Sequence, residues 1–186
     1  MVGKGHEADG KWFGEAFLWE CRRYLRGEYL PKISTCLERL SDGDVWWRPN
    51  EHSNSVGNLI LHLAGNVRQW IVSGIGGGPD TRRRREEFDR RDSIPADELL
   101  ADLADALSEA DDVLASLDPA ALAEDRTIQG RAVNVFEAVL HVVEHFSMHT
   151  GQIAFITKLR TGRDLGFYRD ADGLAIPTLP GTLPED

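Results

Sequence analysis

The sequence predicts an all-α fold, a four-helix bundle, on three observations. Apolar residues recur at helical spacing through four long segments, capping or breaking residues bound each one, and no stretch alternates as a strand would. At 186 residues, 41% hydrophobic and 28% charged, the chain suits one globular domain with a full core. No internal repeat divides it. The expected organisation is a flexible polar tail over residues 1–10, a single bundle domain over 11–165, and a Pro/Gly-rich extension over 166–186 packed as coil.

Trp12 to Leu40 carries Leu, Glu and Arg at helical spacing, interrupted by Pro31. A proline removes one backbone hydrogen bond and clashes with the preceding turn, so a kink or break is expected near Gly27–Pro31. Ser41-Asp42-Gly43-Asp44 ends the segment, and Trp46-Trp47-Arg48-Pro49 follows as an extended connection whose indoles cap the core. The second helix starts after Ser53 or Ser55 and runs to about Ser73, with Leu59, Ile60, Leu63, Val67, Trp70 and Ile71 as its apolar face. Gly74-Ile75-Gly76-Gly77-Gly78-Pro79 stops it; this is no phosphate loop, because it follows a helix and lacks the lysine and Ser/Thr of that motif.

Segment 82–91 places Arg82-Arg83-Arg84-Arg85, Arg90 and Arg91 among Glu86, Glu87 and Asp89. Opposite charges so interleaved read first as a solvated or salt-bridged loop, with an anionic-substrate or subunit contact as the alternative. The third helix runs from about Pro95 to Leu117, with Ser93 as its expected cap and Asp97 and Glu98 at the positive end of its dipole. The fourth opens on the capping box Asn134-Val135-Phe136-Glu137, continues to about Thr161 and stops at Gly162, with Lys158 and Arg160 in its last turn.

The chemistry sits on the second and fourth helices. His141, His145 and His149 stand four residues apart, and each such step drifts only about 40° around a helix, so the imidazoles share a stripe. Imidazole is the commonest side-chain ligand of transition metals. His141 and His149 would lie about 12 Å apart along the axis, too far for one ion, whereas neighbouring pairs at about 6 Å can chelate. His145 belongs to either pair, and Gln152 continues the polar stripe beyond His149, which favours the pair 145/149.

On the second helix, Asn58, His62, Asn66 and Gln69 share one face of an otherwise apolar element. Buried polar groups cost free energy unless partnered, so this face needs something to bind. A divalent metal held by His62, His145 and His149 supplies a partner, with Asn66 and Gln152 as outer groups and His141 lining the site. Three neutral imidazoles leave the ion charged and one position open, which favours activating a water or a thiol. Two other arrangements fit the residues less well. His141-Val142-Val143-Glu144-His145 matches the H-x-x-E-H of inverted zinc proteases, but that reading gives His149 and His62 no role. Di-iron bundles require Glu-x-x-His pairs on two helices, and none is present.

The formal net charge of −10 speaks against general binding to nucleic acid. No apolar run approaches the roughly 18 residues of a membrane span, and the first ten residues do not resemble a secretion signal. Cys21 and Cys36, about 22 Å apart in a continuous helix, cannot pair there and fit the reduced thiols of a cytoplasmic protein.

Asn58-Leu59-Ile60-Leu61-His62-Leu63-Ala64-Gly65-Asn66 with Gln69-Trp70, joined to His145-x-x-x-His149-Thr150-Gly151-Gln152-Ile153, resembles the DinB/YfiT-like superfamily. Trp46-Trp47-Arg48-Pro49-Asn50 and the arginine-rich stretch ending in Glu87-Phe88 bring it nearest to an uncharacterised subfamily, and the likeness runs from about Tyr29 to Tyr168. The resemblance implies a four-helix bundle with a divalent metal, zinc or nickel, on three histidines, matched by motif to His62, His145 and His149. It implies a homodimer acting on a small-molecule substrate. Characterised relatives include isomerases and transferases that use a low-molecular-weight thiol, and others are called metal-dependent hydrolases. His141 is extra to the pattern.

Overall fold

The structure is a computed structural model and describes residues 4–178. Helix α1 (Lys4–Arg22) passes through a π-helical turn (Arg23–Tyr29) into α2 (Leu30–Leu37). The chain does not break at Pro31, and Tyr29 and Leu30 keep right-handed helical angles. The proline occupies the first turn of α2, directly after the looser π winding, which accommodates a residue that cannot donate. The segment expected as a tail is helical from Lys4 onward, because extending an existing helix needs no new nucleus. Residues 1–3 of that tail lie outside the described residues.

A single turn, α3 (Asp42–Val45), is capped by Ser41, and Trp46 after it donates its indole N–H to the Ile94 carbonyl. Helix α4 (Val56–Val67) continues as a second π-helical turn (Arg68–Ser73). Its cap is Ser55, in a box completed by Asn58, so Asn58 serves the helix end as well as the polar face. Short α5 (Arg84–Asp89) lies within the arginine-rich segment, and α6 (Ala96–Ser116) follows. Helix α6 begins after Pro95 with no side-chain cap, so the expected Ser93 lies too early to serve. Helix α7 (Val135–Thr161) ends as expected at both termini, between the Asn134–Glu137 box and Gly162 in the left-handed region at φ 64°.

Two antiparallel hairpins correct the all-α expectation: β1 (Asp125–Ile128) with β2 (Arg131–Asn134), and β3 (Tyr168–Ala171) with β4 (Leu174–Pro177). Each turns through two residues with positive φ, Gln129-Gly130 and Asp172-Gly173, the geometry that two-residue hairpins demand. Four-residue strands are too short for alternation to stand out from their surroundings. The second hairpin also replaces the coil expected for the C-terminal extension; residues 179–186 of that extension lie outside the described residues.

The protein is therefore mostly helical, with two small sheets. α4 packs against α6 and α7, and α2 against α7. Ile33, Leu63, Leu107, Phe146 and Ile153 are fully buried where these helices meet. Truncating such a residue, Phe146→Ala for instance, costs about 3–5 kcal/mol. This α4–α7 contact is what brings distant histidines together. No helix among the described residues is long and apolar enough to cross a membrane.

Candidate metal centre

Helix α4 is buried almost all round, and its polar members go in with it: His62 is 4% and Asn66 3% exposed. On α7 the buried stripe runs Val139, Val142, Phe146, His149, Thr150, Ile153. The drift of about 40° per four residues thus carries His149 into the core face and leaves both His145 and His141 half-buried at its edge. The ligand nitrogens of His62, His145 and His149 all lie within 4.8 Å of one another. Nε2 of His62 faces Nε2 of His145 at 2.8 Å, and the His145 and His149 rings meet edge-on with centroids 4.4 Å apart.

Outer contacts fall on the Nδ1 atoms of His62 and His149. Nδ1 of His62 is 2.8 Å from a Glu87 carboxylate oxygen, and Nδ1 of His149 is 2.7 Å from the Gln152 amide oxygen. Imidazoles held in this way by Nδ1 offer Nε2 to an ion. Nε2 of His149 is buried with no hydrogen-bond partner among the described residues. An unmade bond of this kind costs about 1–3 kcal/mol, and coordination would remove that cost. The nitrogen set therefore fits a divalent transition metal.

Electrostatics prepares the same atoms. Burial, with His149, His62, His141 and Arg82 nearby, pushes His145 down to about 3. Burial also lowers His149, against the Gln152 hydrogen bond. Both rings are thus neutral near pH 7, with lone pairs available. Burial works to raise Glu87, but hydrogen bonds from Arg82 and His62 outweigh it and hold the carboxyl below its usual range, so it stays ionised.

The sequence pattern of a family described as "Protein of unknown function (DUF1572)" matches residues 13–167. The chain belongs to that family, which is DinB-like. The crystal structure of a DinB-like protein from Bacillus cereus ATCC 10987 is similar in fold, with a TM-score of 0.60 at 15% identity, covering 81% of this chain and 94% of that one. At that identity the likeness speaks for the fold. No curated protein matches the chain.

The DUF1572 chain separates the remaining candidates. His141 does not join the three-histidine group; its ring packs on Trp70 with centroids 4.2 Å apart and stacks on His145 at 5.4 Å. With Glu144 exposed as well, the H-x-x-E-H arrangement is not assembled as a pair of ligands and a base. Asn66, one turn beyond His62, keeps a buried Oδ1 with no partner among the described residues. Gln152 touches His149 directly, whereas Asn58 and Gln69 contact the arginine-rich segment.

Sequence reasoning missed that segment's role. Arg83, Arg84 and Arg85 face solvent as expected, but the Arg82 side chain is 3% exposed and grips Glu87 through Nε and Nη2 at 2.7 and 2.9 Å. A cavity of about 540 Å³ lies on the outer side of this pair, lined by Gly65, Gln69, Arg82 and Glu87 among others. The one local signal was the unpartnered polar face of α4, which required a polar neighbour from elsewhere in the chain.

Proposed function

We propose that the protein is a metal-dependent enzyme in which a divalent ion, zinc or nickel, held by His62, His145 and His149, activates a thiol or a water toward a small-molecule substrate. The observation that carries this reading is the buried, unpartnered Nε2 of His149 beside the facing Nε2 atoms of His62 and His145. Bound there, the ion would lower the pKa of a coordinated thiol or water and supply a nucleophile near neutral pH. Among the described residues the group has three members, all neutral donors, which supports a site with a position left for substrate over a closed structural one.

A thiol-dependent S-transferase or isomerase is the first reading, and its precedence follows the DinB/YfiT-like resemblance. The thiol would come from a low-molecular-weight cosubstrate, because the chain's own thiols are poor nucleophiles. Cys21 is buried, and burial, with Glu20 adding, pushes its thiol up to about 12; burial raises Cys36 as well. A metal-dependent hydrolase is the second reading, since neutral imidazoles serve a water equally well. Burial lowers His141, so its neutral ring beside His145 is the candidate proton acceptor, with Asn66 and Gln152 as candidate amides toward substrate. We further propose a cytoplasmic homodimer, on the buried unpaired thiols and on the exposed Trp12, Trp19, Phe155 and Leu159 of α1 and α7.

Purified protein should carry about one zinc or nickel ion per chain, and His145→Ala should lose it. Elemental analysis of both proteins checks this, and equal metal content in the two would remove the site. Loaded protein should then consume a low-molecular-weight thiol in the presence of an electrophile. Hydrolysis without thiol would favour the second reading, and stoichiometric metal with neither activity would leave a non-catalytic metal-binding stress-response module.

A further inference from the structure

We infer that residues 80–90 form a strap whose Arg82–Glu87 pair positions His62 and fixes which of its ring nitrogens faces the metal site. The metal itself rests on the function proposed above; the choice of nitrogen does not. Three of the four polar residues on the α4 face touch this strap. Asn58 Nδ2 donates to the Glu87 carbonyl at 2.7 Å, His62 Nδ1 meets the Glu87 carboxylate at 2.8 Å, and Gln69 accepts from Arg82 Nη1 at 3.0 Å while donating to Asp80 at 2.7 Å. Arg48 adds a bond to the Phe88 carbonyl at 3.1 Å, so backbone and side chains of the strap are both pinned. The polar stripe on an apolar helix is the seat of this segment.

The seat is shaped as well as polar. A Cβ on Gly65, between His62 and Gln69, would overlap Glu87 Oε1 and come within 3.1 Å of Arg82 Nε. A glycine there lets the charged pair cross α4 at close range. Both side chains are nearly removed from solvent, at 3% and 10% exposure, so the carboxylate has little freedom to swing away from the imidazole.

Two neighbours claim Nδ1 of His62. The Glu87 carboxylate, 2.8 Å away, can only accept; the Arg82 guanidinium, with Nη2 at 3.0 Å, can only donate. Arg82 has other acceptors for its hydrogens, in both Glu87 oxygens and the His62 carbonyl at 3.4 Å. Glu87 gains a charge-assisted bond only if Nδ1 carries the proton. The carboxylate thus sets Nδ1–H and leaves Nε2 as the lone pair, which in the metal-free protein accepts from His145 Nε2–H across their 2.8 Å contact. Glu87 is a positioning residue: it acts through His62, with Arg82 holding it from behind.

Nitrogen-detected NMR of the metal-free protein reads the assignment directly, and chelator competition with zinc reads its consequence. Wild-type His62 should be protonated at Nδ1, and Glu87→Ala should mix the two ring forms and weaken zinc binding about 10- to 100-fold. Gly65→Ala, which displaces the carboxylate, should do the same. Glu87→Gln keeps an oxygen for Nδ1 but loses the charge that pairs with Arg82, so it should fall between wild type and Glu87→Ala in both readouts. A merely structural role would make Gln behave as Ala. The inference is overturned if wild-type His62 carries its proton on Nε2, if Glu87→Gln and Glu87→Ala are alike, or if Glu87→Ala binds zinc within about twofold of wild type. Wild-type protein that binds no zinc would defeat the metal reading, and the NMR result would still decide the role of Glu87.

Discussion

His62 and His149 present the same ring nitrogen to the same site, but the protein holds them by different means. His149 is held from its own helix, by an exposed, uncharged amide three residues further on. His62 is held from across the chain, by a buried carboxylate 25 residues away that is itself gripped by a buried guanidinium. The local arrangement orients a ring and commits nothing else. The long-range one ties the His62 imidazole to the docking of a whole segment, because a charge left behind in the interior costs far more than a lost amide bond. One site is thus built from a half on α7 held within its own helix and a half on α4 that depends on its strap.

The sharpest way to break this comparison is to strip one partner from each side. Arg82→Ala leaves the Glu87 carboxylate buried without its cation, and should cost about 3–5 kcal/mol in urea unfolding of metal-free protein. Gln152→Ala removes one neutral bond at the surface and should cost less than about 1.5 kcal/mol. Equal losses would mean that the two halves are held alike.

Acid should separate the halves by pH window. Unfolded His145 would bind a proton near its ordinary 6.5, whereas burial holds the folded ring down to about 3. Between those values the unfolded chain binds more protons, so stability is full above about 6.5 and falls as pH drops toward 3, with His149 shifted in the same direction. Glu87, also depressed, adds stability that is full above the ordinary carboxylate range and is lost only as pH falls through its lowered value. Thermal melts of metal-free protein from pH 7 to 3 should therefore decline in two stages. His145→Ala should flatten the upper stage and Glu87→Gln the lower one.

What could be read from the chain follows the same division. Both ends of α7 were legible because Asn134, Glu137 and Gly162 act within a turn of themselves. The histidines were legible because a four-residue spacing and a polar residue in an apolar helix are local facts. Gln152 was marked by the stripe it continues. Glu87 and Arg82 were not, because within a run of mixed charges no local rule says which pair turns inward. Gly65 and Asn58, more than fifteen positions away on another helix, decide that. Asn58 was correctly placed on the polar face, but its work at the helix cap and the strap could be seen only once both were in view. The hairpins were within reach, since Asp172-Gly173 is a strong turn signal. Four-residue strands around it gave too little pattern to support the reading.

The smallest predicted effect is the one that tests whether the α7 half can be made to resemble the α4 half. Gln152→Ala should weaken metal binding by no more than about tenfold, the value of one uncharged hydrogen bond, and should leave thermal stability nearly unchanged. Gln152→Glu should instead tighten binding, because a carboxylate accepts from His149 Nδ1–H in a charge-assisted bond and makes Nε2 a better donor. No buried cation is needed to hold it, since position 152 faces solvent and water can satisfy the second oxygen. Chelator competition on the two variants gives the order expected, Glu above Gln above Ala. If Glu binds no better than Gln, the strength of the α4 half lies in the rigidity of its strap, and the charge on Glu87 matters only for keeping that strap in place.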